Sequence, residues 1–347
     1  MLKRKIYILL FACAALQAGA QDLHFSQFYN SPLTCNPANT GFIPDGDYRL
    51  GGTYRKQWAS IPVPYKTMTV FGDVQIMRDK LYNGWLAAGF TLLKDEAGTG
   101  ALQSTKAYAS LAYHQLLGES SLLSAGFNAG YVNKRINTAK LTFDNQWNGK
   151  FFDITAPTGE TFASNNISYL DVHAGVNYSI FPTENSYVNM GVSVQHINRP
   201  RESFFDGIDS TVSGGRYDNR LARRYTVFAN ASLKPNDRVI VNPQAYYSRI
   251  TTASELVAGL NIQYNLSGDG ATQLLGGIYY RLKDAIIPMA GVQYKSMKIT
   301  YTYDVTSSSL SSFNQRRGGS ELSIIHQGLF NPAYKGRRDT RCNMPAF

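Results

Sequence analysis

The side chains that could do chemistry in this 347-residue chain are few and mostly scattered. Asp171 and His173 stand two residues apart, so in an extended strand both face the same side. A carboxylate beside an imidazole could titrate as a pair. The plainer reading is two solvated polar residues on one strand face. The remaining histidines, His24, His114, His196 and His326, are dispersed. There is no Gly-x-Ser-x-Gly elbow, no phosphate-binding loop, no His-Glu-x-x-His and no zinc-type spacing. The sequence therefore nominates no catalytic, metal-ligating or cofactor-binding residue, and the expectation is a protein that is not an enzyme. A hydrolase assembled from distant strands stays open but has no candidate residues.

Cys35 and Cys342 sit near opposite ends, and a single disulfide or two unpaired thiols both fit an exported chain. Two stretches have the composition of contact surfaces. Residues 198–224 carry Arg199, Arg201, Arg216, Arg220, Arg223 and Arg224 around Phe204 and Phe205. Exposed arginines with aromatics suit partner recognition, while a solvated mobile loop explains them equally. Residues 136–166 carry Phe143, Trp147, Phe151, Phe152 and Phe162, which suggests a folded loop or a contact surface.

The elements that would position these residues read as strands. Leu170, Val172, Ala174, Val176, Tyr178 and Ile180 alternate with Asp171, His173, Gly175, Asn177 and Ser179. The same period of two recurs from Leu256 to Leu266, from Val188 to Gln195 and from Met297 to Asp304. The strands are long, about ten to fourteen residues against ~5–6 in soluble sheets. Their polar face is small and uncharged, as suits a lumen, with the apolar face towards lipid. Aromatic residues gather near strand ends (Tyr54, Trp58, Tyr65, Tyr82, Trp85, Phe181, Tyr187, Tyr225, Tyr246, Tyr247, Tyr264 and Tyr294) and are expected as interfacial girdles. The fold class expected is all-β, a transmembrane antiparallel barrel of about fourteen strands. The strands lie near 47–58, 65–77, 83–94, 104–116, 121–134, 167–181, 186–197, 221–234, 238–249, 255–266, 273–283, 286–294, 297–305 and 319–327.

The links between strands sort by length. Those after even-numbered strands are short, and the long ones, 95–103, 136–166, 198–220 and 306–318, follow odd-numbered strands. Short turns at one end and long loops at the other is the outer-membrane arrangement, which puts both termini on the periplasmic side and the long loops outside. Met1 to Lys5 is basic, Ile6 to Leu16 is apolar and Ala18-Gly19-Ala20 is a small-residue cleavage pattern, so a signal peptide spans 1–20. A lipoprotein cut before Cys13 is disfavoured by Phe11. Residues 21–46 form a periplasmic or plug segment, 47–327 the barrel and 328–347 a basic periplasmic tail. The formal charge is +10, three of which belong to Lys3, Arg4 and Lys5. Export makes nucleic acid an improbable partner and favours lipid headgroups or acidic surface glycans.

The mature start carries Phe25, Ser26 and Gln27 in Gln21-Asp22-Leu23-His24-Phe25-Ser26-Gln27-Phe28-Tyr29-Asn30-Ser31-Pro32. It continues through Asn36, Pro37, Ala38 and Gly41 to Tyr48-Arg49 and Tyr54-Arg55-Lys56-Gln57-Trp58. This resembles the PorP/SprF family of the type IX secretion system. The Glu321-Leu322-Ser323 strand and the Arg341-Cys342 tail are similar to that family's ends, whereas Cys35 stands where members often have an aliphatic residue. The resemblance implies a non-enzymatic outer-membrane barrel of a Bacteroidota bacterium, without cofactor. It would support secretion or surface attachment of cargo with C-terminal sorting domains, including gliding adhesins, alongside the secretion machinery. A channel or transporter for small hydrophobic substrates is the alternative that the barrel architecture leaves open.

Overall fold

In the computed structural model, residues 25–330 are described, except 45, 59–62, 79–80, 99–101, 160–163, 184, 205–218 and 268–269. Fourteen antiparallel strands close into one barrel. They are β1 Tyr48–Gln57, β2 Tyr65–Ile76, β3 Gly84–Ala97, β4 Leu102–Leu116, β5 Ser121–Arg135, β6 Asn166–Thr183 and β7 Ser186–Gln195. The circuit continues with β8 Arg224–Asn236, β9 Val239–Ile250, β10 Ala253–Asn265, β11 Thr272–Arg281, β12 Ala285–Tyr294, β13 Met297–Thr306 and β14 Arg317–Gly328. Closure is made by β1 on β14, with Tyr48 opposite Gly328 and Gln57 opposite Gly319. No sheet edge is left to pair with another chain.

The alternation in sequence is the alternation in space. In β6, Asp171, Gly175, Asn177 and Ser179 are buried on the inside, while Leu170 and Val176 are exposed. Outside, Leu50, Met68, Val70, Phe90, Leu111, Val192 and Leu260 present an apolar surface. Every polar main-chain group that crosses such a surface must be paired within the sheet, which a closed ladder achieves. Four prolines fall within strands, Pro182 and Pro235 next to the ends of β6 and β8 and the other two further in. Pro243 is accommodated opposite Leu260. At Pro288 the β12–β13 pairing skips from Ile286↔Val305 to Met289↔Thr302, because proline cannot donate to the ladder.

The expected aromatic girdle is only partly right. Tyr54, Tyr82, Tyr225, Tyr247, Tyr264 and Tyr294 are exposed, but Trp85, Phe181 and Tyr246 are buried inside the barrel. In long strands the parity of a residue decides its side, and these three share the parity of the lumen-facing set.

The lumen is threaded by part of the chain itself. Residues 25–44 run through it as a chain of short turns: a 3-10 turn Phe28–Asn30, a helical turn Pro32–Cys35 and a 3-10 turn Pro37–Asn39. Prolines open the second and third of these, where a missing N–H costs nothing. The described residues 25–44 lie inside the barrel. Their path is directional. Ser26 meets β1, β13 and β14 in the half of the barrel where the long links lie. Gly41 meets Asp73 and Trp85 near the short-turn end, from which β1 departs. Gly328 lies at the short-turn end and Phe25 towards the opposite one, while residues 1–24 and 331–347 are outside the described set.

Candidate functional site

Because the plug threads the lumen, its contacts with the wall define what the barrel can admit. Three clusters hold it.

The upper cluster is ionic. The main-chain N–H groups of Ser26 and Gln27 donate to the two oxygens of Glu321, at 2.8 and 2.9 Å. The Ser26 hydroxyl donates to Asp304 at 2.7 Å and accepts from the guanidinium groups of both Arg55 and Arg281. Arg55 also pairs with Asp304 at 2.8 Å and Glu321 at 3.1 Å. Arg281 pairs with Asp304 at 2.9 Å, Glu255 at 2.9 Å and Asp284 at 3.1 Å. Arg55, Asp304 and Glu321 are each at most 3% exposed. Charges so deeply buried are tolerated only when paired and hydrogen-bonded, and here each is. Gln27 and Asn30 extend the cluster to the Thr300 and Thr302 hydroxyls of β13.

The middle cluster is amide-based. The Asn36 side chain caps the Pro37–Asn39 turn by accepting from the Ala38 N–H at 2.8 Å. Its amide nitrogen donates to Asn177 at 2.7 Å and to the Val192 carbonyl at 3.0 Å. Asn177 in turn donates to Asn39 at 2.7 Å. Two wall glycines make this approach possible. A Cβ on Gly126 would stand 2.4 Å from the Pro37 carbonyl carbon, and one on Gly175 would stand 2.0 Å from the Asn36 side-chain oxygen.

The lower cluster fixes the exit. Asp73 accepts from the Gly41 N–H at 2.7 Å and from Arg49 through both oxygens at 2.7 and 3.0 Å. His114 contacts the Thr40 carbonyl at 2.7 Å and stacks on Trp85. Gly41 adopts φ +68, and a Cβ there would lie 2.1 Å from that of Ala87.

Most residues singled out at the start of the chain therefore converge on one piece of physics, the docking of the plug on the wall. Ser26, Gln27, Asn36, Pro37, Ala38 and Gly41 belong to the plug, and Arg49 and Arg55 are the strand residues that receive it. Phe25 lines a cavity beside the plug. Tyr54 is outward-facing and Tyr48 packs on His326 and Phe330 at the short-turn end. Gln57 closes β1, and Trp58 packs edge-on against Tyr65 just beyond it. The wall partners Asp73, Asn177, Arg281 and Asp304 were not nominated from sequence. Their only signal was a charged or amide residue at a lumen position between apolar ones.

The Asp171–His173 pair is not solvated. Asp171 is fully buried and His173 is 8% exposed. A third residue, His196, joins them from just after β7, with its Nδ1 2.8 Å from Asp171 Oδ2. Cys35 is a buried thiol in the plug, and burial pushes its pKa up to about 12. Cys342 lies outside the described residues, and with it the pairing.

The long loops at the mouth are folded on one another. Trp147 and Phe152 form a bridge within 136–165 and stay exposed, with Phe151 between them 60% exposed. Arg201 and Arg220, both exposed, bridge the base of the β7–β8 loop. Arg199 lies at its start with φ +45, and Phe204 accepts from the Ser164 N–H of the other loop. Glu202 ties the β7–β8 loop to the strands that flank the other loop, through Lys134 at the end of β5 and Tyr169 near the start of β6. Phe205 and Arg216 lie outside the described residues.

A family model described as the type IX secretion system membrane protein PorP/SprF matches residues 17–325. No curated protein sequence gives a significant match. Among solved structures, the Ralstonia pickettii toluene transporter TbuX is similar with a TM-score of 0.50 at 10% identity, over 87% of this chain and 94% of that one. A Pseudomonas aeruginosa FadL homologue follows with a TM-score of 0.49 at 10% identity, over 84% and 92%. At such identity the likeness is one of fold alone.

Proposed function

Since the chain belongs to the PorP/SprF family of type IX secretion system membrane proteins, we propose that it serves as a non-enzymatic outer-membrane component of that system. In this reading it supports export or surface attachment of proteins with C-terminal sorting domains, gliding adhesins among them, in a Bacteroidota host. Its long loops face outward and its short turns face the periplasmic machinery. The observation that carries the reading beyond family membership is the plug. A lumen crossed by residues 25–44 and latched by three clusters is a poor conduit for a polypeptide. The partners would then be met by surfaces: the mouth loops, with Trp147, Phe151, Phe152, Arg199, Arg201, Phe204, Phe205, Arg216 and Arg220, and the lipid-facing wall.

The test is affinity capture of the tagged barrel from mild-detergent outer membranes of its host, with mass spectrometry of what accompanies it. Secretion-ring components, or a large surface protein with a C-terminal sorting domain, are expected. Their absence, combined with an unchanged secretome after deletion and a loss of hydrophobic-substrate uptake, would favour the transporter reading instead.

A further inference from the structure

Beside the upper part of the plug lies a cavity of about 60 Å³, bordered by Phe25, Tyr108, Asn128, His173 and His196. Such a space accommodates an ion with coordinated water. Three side chains at its edge converge on one point. The ligand-capable atoms of Asp171, His173 and His196 all lie within 4.8 Å of one another. His173 Nε2 stands 3.0 Å and His196 Nδ1 2.8 Å from the same oxygen of Asp171, and the two imidazoles meet edge to face.

The convergence is built, not incidental to a strand. Asp171 and His173 share the inner face of β6. His196 reaches them only because its backbone sits at φ +57, a left-handed conformation that a histidine adopts rarely. The carboxylate is further held by the Tyr108 hydroxyl at 2.8 Å and the Val172 N–H at 3.0 Å. Around the same cavity two buried acceptors, Asn128 Oδ1 and Thr91 Oγ1, have no hydrogen-bond partner among the described residues. A buried carbonyl oxygen without a donor is costly, and water bound to a metal ion would supply one.

We propose that Asp171, His173 and His196 form a binding site for a borderline divalent transition metal, zinc being the first candidate. Two imidazoles and one carboxylate are a zinc-type donor set that leaves a fourth position for water. The site would suit copper or nickel as well, and would not suit magnesium or calcium, which require mostly oxygen ligands. Lys106 and Arg224 border the cavity, which further disfavours a cation held by charge alone, whereas neutral imidazole donation does not depend on a negative surround. Bonds of about 2.0–2.1 Å in a tetrahedron place ligand atoms roughly 3.3 Å apart, so on binding the two imidazole nitrogens, now within 4.8 Å of each other, draw together while each moves a few tenths of an ångström away from Asp171. The metal takes the place of the protons that the imidazoles share with Asp171, and each ring turns to its other tautomer. Tyr108 then acts from behind the carboxylate as a positioning residue.

Zinc chloride is titrated by calorimetry into the purified full-length barrel, carrying no histidine tag, and cobalt(II) is added in parallel for its absorption spectrum. One saturable zinc site per chain is expected, with a four- or five-coordinate cobalt band. His196→Ala and His173→Ala should each weaken zinc binding by at least 100-fold, and Tyr108→Phe by ~10-fold or more. Heat-modifiable gel mobility shows that each variant is folded. If one is not, the wild-type cobalt spectrum and Tyr108→Phe decide. The absence of a saturable site in the wild type, an octahedral cobalt spectrum, or unchanged affinity in a folded variant carrying both His173→Ala and His196→Ala would overturn the assignment.

Discussion

Arg55 and Ser26 touch inside the barrel, the guanidinium of the first strand donating to a hydroxyl twenty-nine residues earlier in the chain. The contact makes the plug part of the wall's own charge balance. Asp304 and Glu321 face Arg55, and Asp304 also faces Arg281. Removing Arg55 leaves two buried carboxylates with too little positive charge. Arg55→Ala should destabilise the barrel by about 3–5 kcal/mol, as breaking one side of a buried pair does. Ser26→Ala removes three hydrogen bonds but no charge and should cost less, about 1–3 kcal/mol. Urea unfolding in lipid vesicles, followed by tryptophan fluorescence, ranks the two. The opposite ranking would mean that the carboxylates find other partners when Arg55 is gone.

Gly126 and Gly175 offer a way to unseat the plug without touching a charge. Added side chains at these positions would collide with Pro37 and Asn36, and the colliding atoms are mostly backbone or a capping amide already fully engaged. Gly126→Val and Gly175→Val should leave the fourteen-strand ladder in place while expelling the middle of the plug. Planar bilayers should then show conductance well above that of the wild type. Unchanged conductance in folded variants would mean that the segment shifts within the lumen without leaving it.

The barrel was legible because membrane and lumen impose opposite polarities on neighbouring residues, and a period of two survives in sequence wherever that holds. Links such as Lys295-Ser296 and the long 136–165 stretch separated cleanly for the same reason. What was not legible depends on contacts between distant parts. Trp85 and Tyr246 look like girdle residues until the parity of their strands is fixed by partners, and both then fall inside. Asp304 alternates with tyrosines like any lumen residue, and nothing local marks it as the acceptor for two arginines and a serine. His196 stands beyond the end of its strand, so periodicity could not pair it with Asp171. The motif from Phe25 to Trp58 was visible as a resemblance, but its physical sense, a plug and the strand that receives it, needed three dimensions.

Cys35 gives a pH signature to the same plug. Burial raises its thiol from 9.0 to about 12, against the opposing pull of Arg224. The folded state therefore holds the proton more tightly than the unfolded chain. Its contribution to stability is complete below pH 9.0 and is lost as pH rises towards about 12. In a Cys342→Ser background, native barrel should resist maleimide at pH 8, where an exposed thiol reacts, and should become reactive on unfolding. Cys35→Ala should flatten the decline of stability across that alkaline window. Rapid labelling of the native protein at Cys35 would show that the plug opens readily.

The mouth loops allow partner contact to be separated from folding. Trp147, Phe151 and Phe152 stand exposed on a loop that is itself held by internal hydrogen bonds, and Asn148, Gln146 and Asp153 supply most of them. An ordered loop that keeps large aromatics in solvent gains nothing in stability from them. Substituting all three by serine should therefore change unfolding by less than about 0.5 kcal/mol, as surface changes usually do. If these rings are where a cargo or machinery protein docks, the same triple variant should lose most of the material captured with the wild type, since aromatic anchors dominate interface energies. Glu202→Gln is the companion variant. It removes the charge that pairs with Lys134, and so loosens the hold on the neighbouring loop, without removing a single ring. Partial loss of capture with Glu202→Gln and near-complete loss with the triple variant would assign the docking energy to the rings and its preorganisation to the loop tie. Full capture by the triple variant would remove this face from consideration and leave the short-turn end and the lipid-facing wall as the surfaces where partners are met.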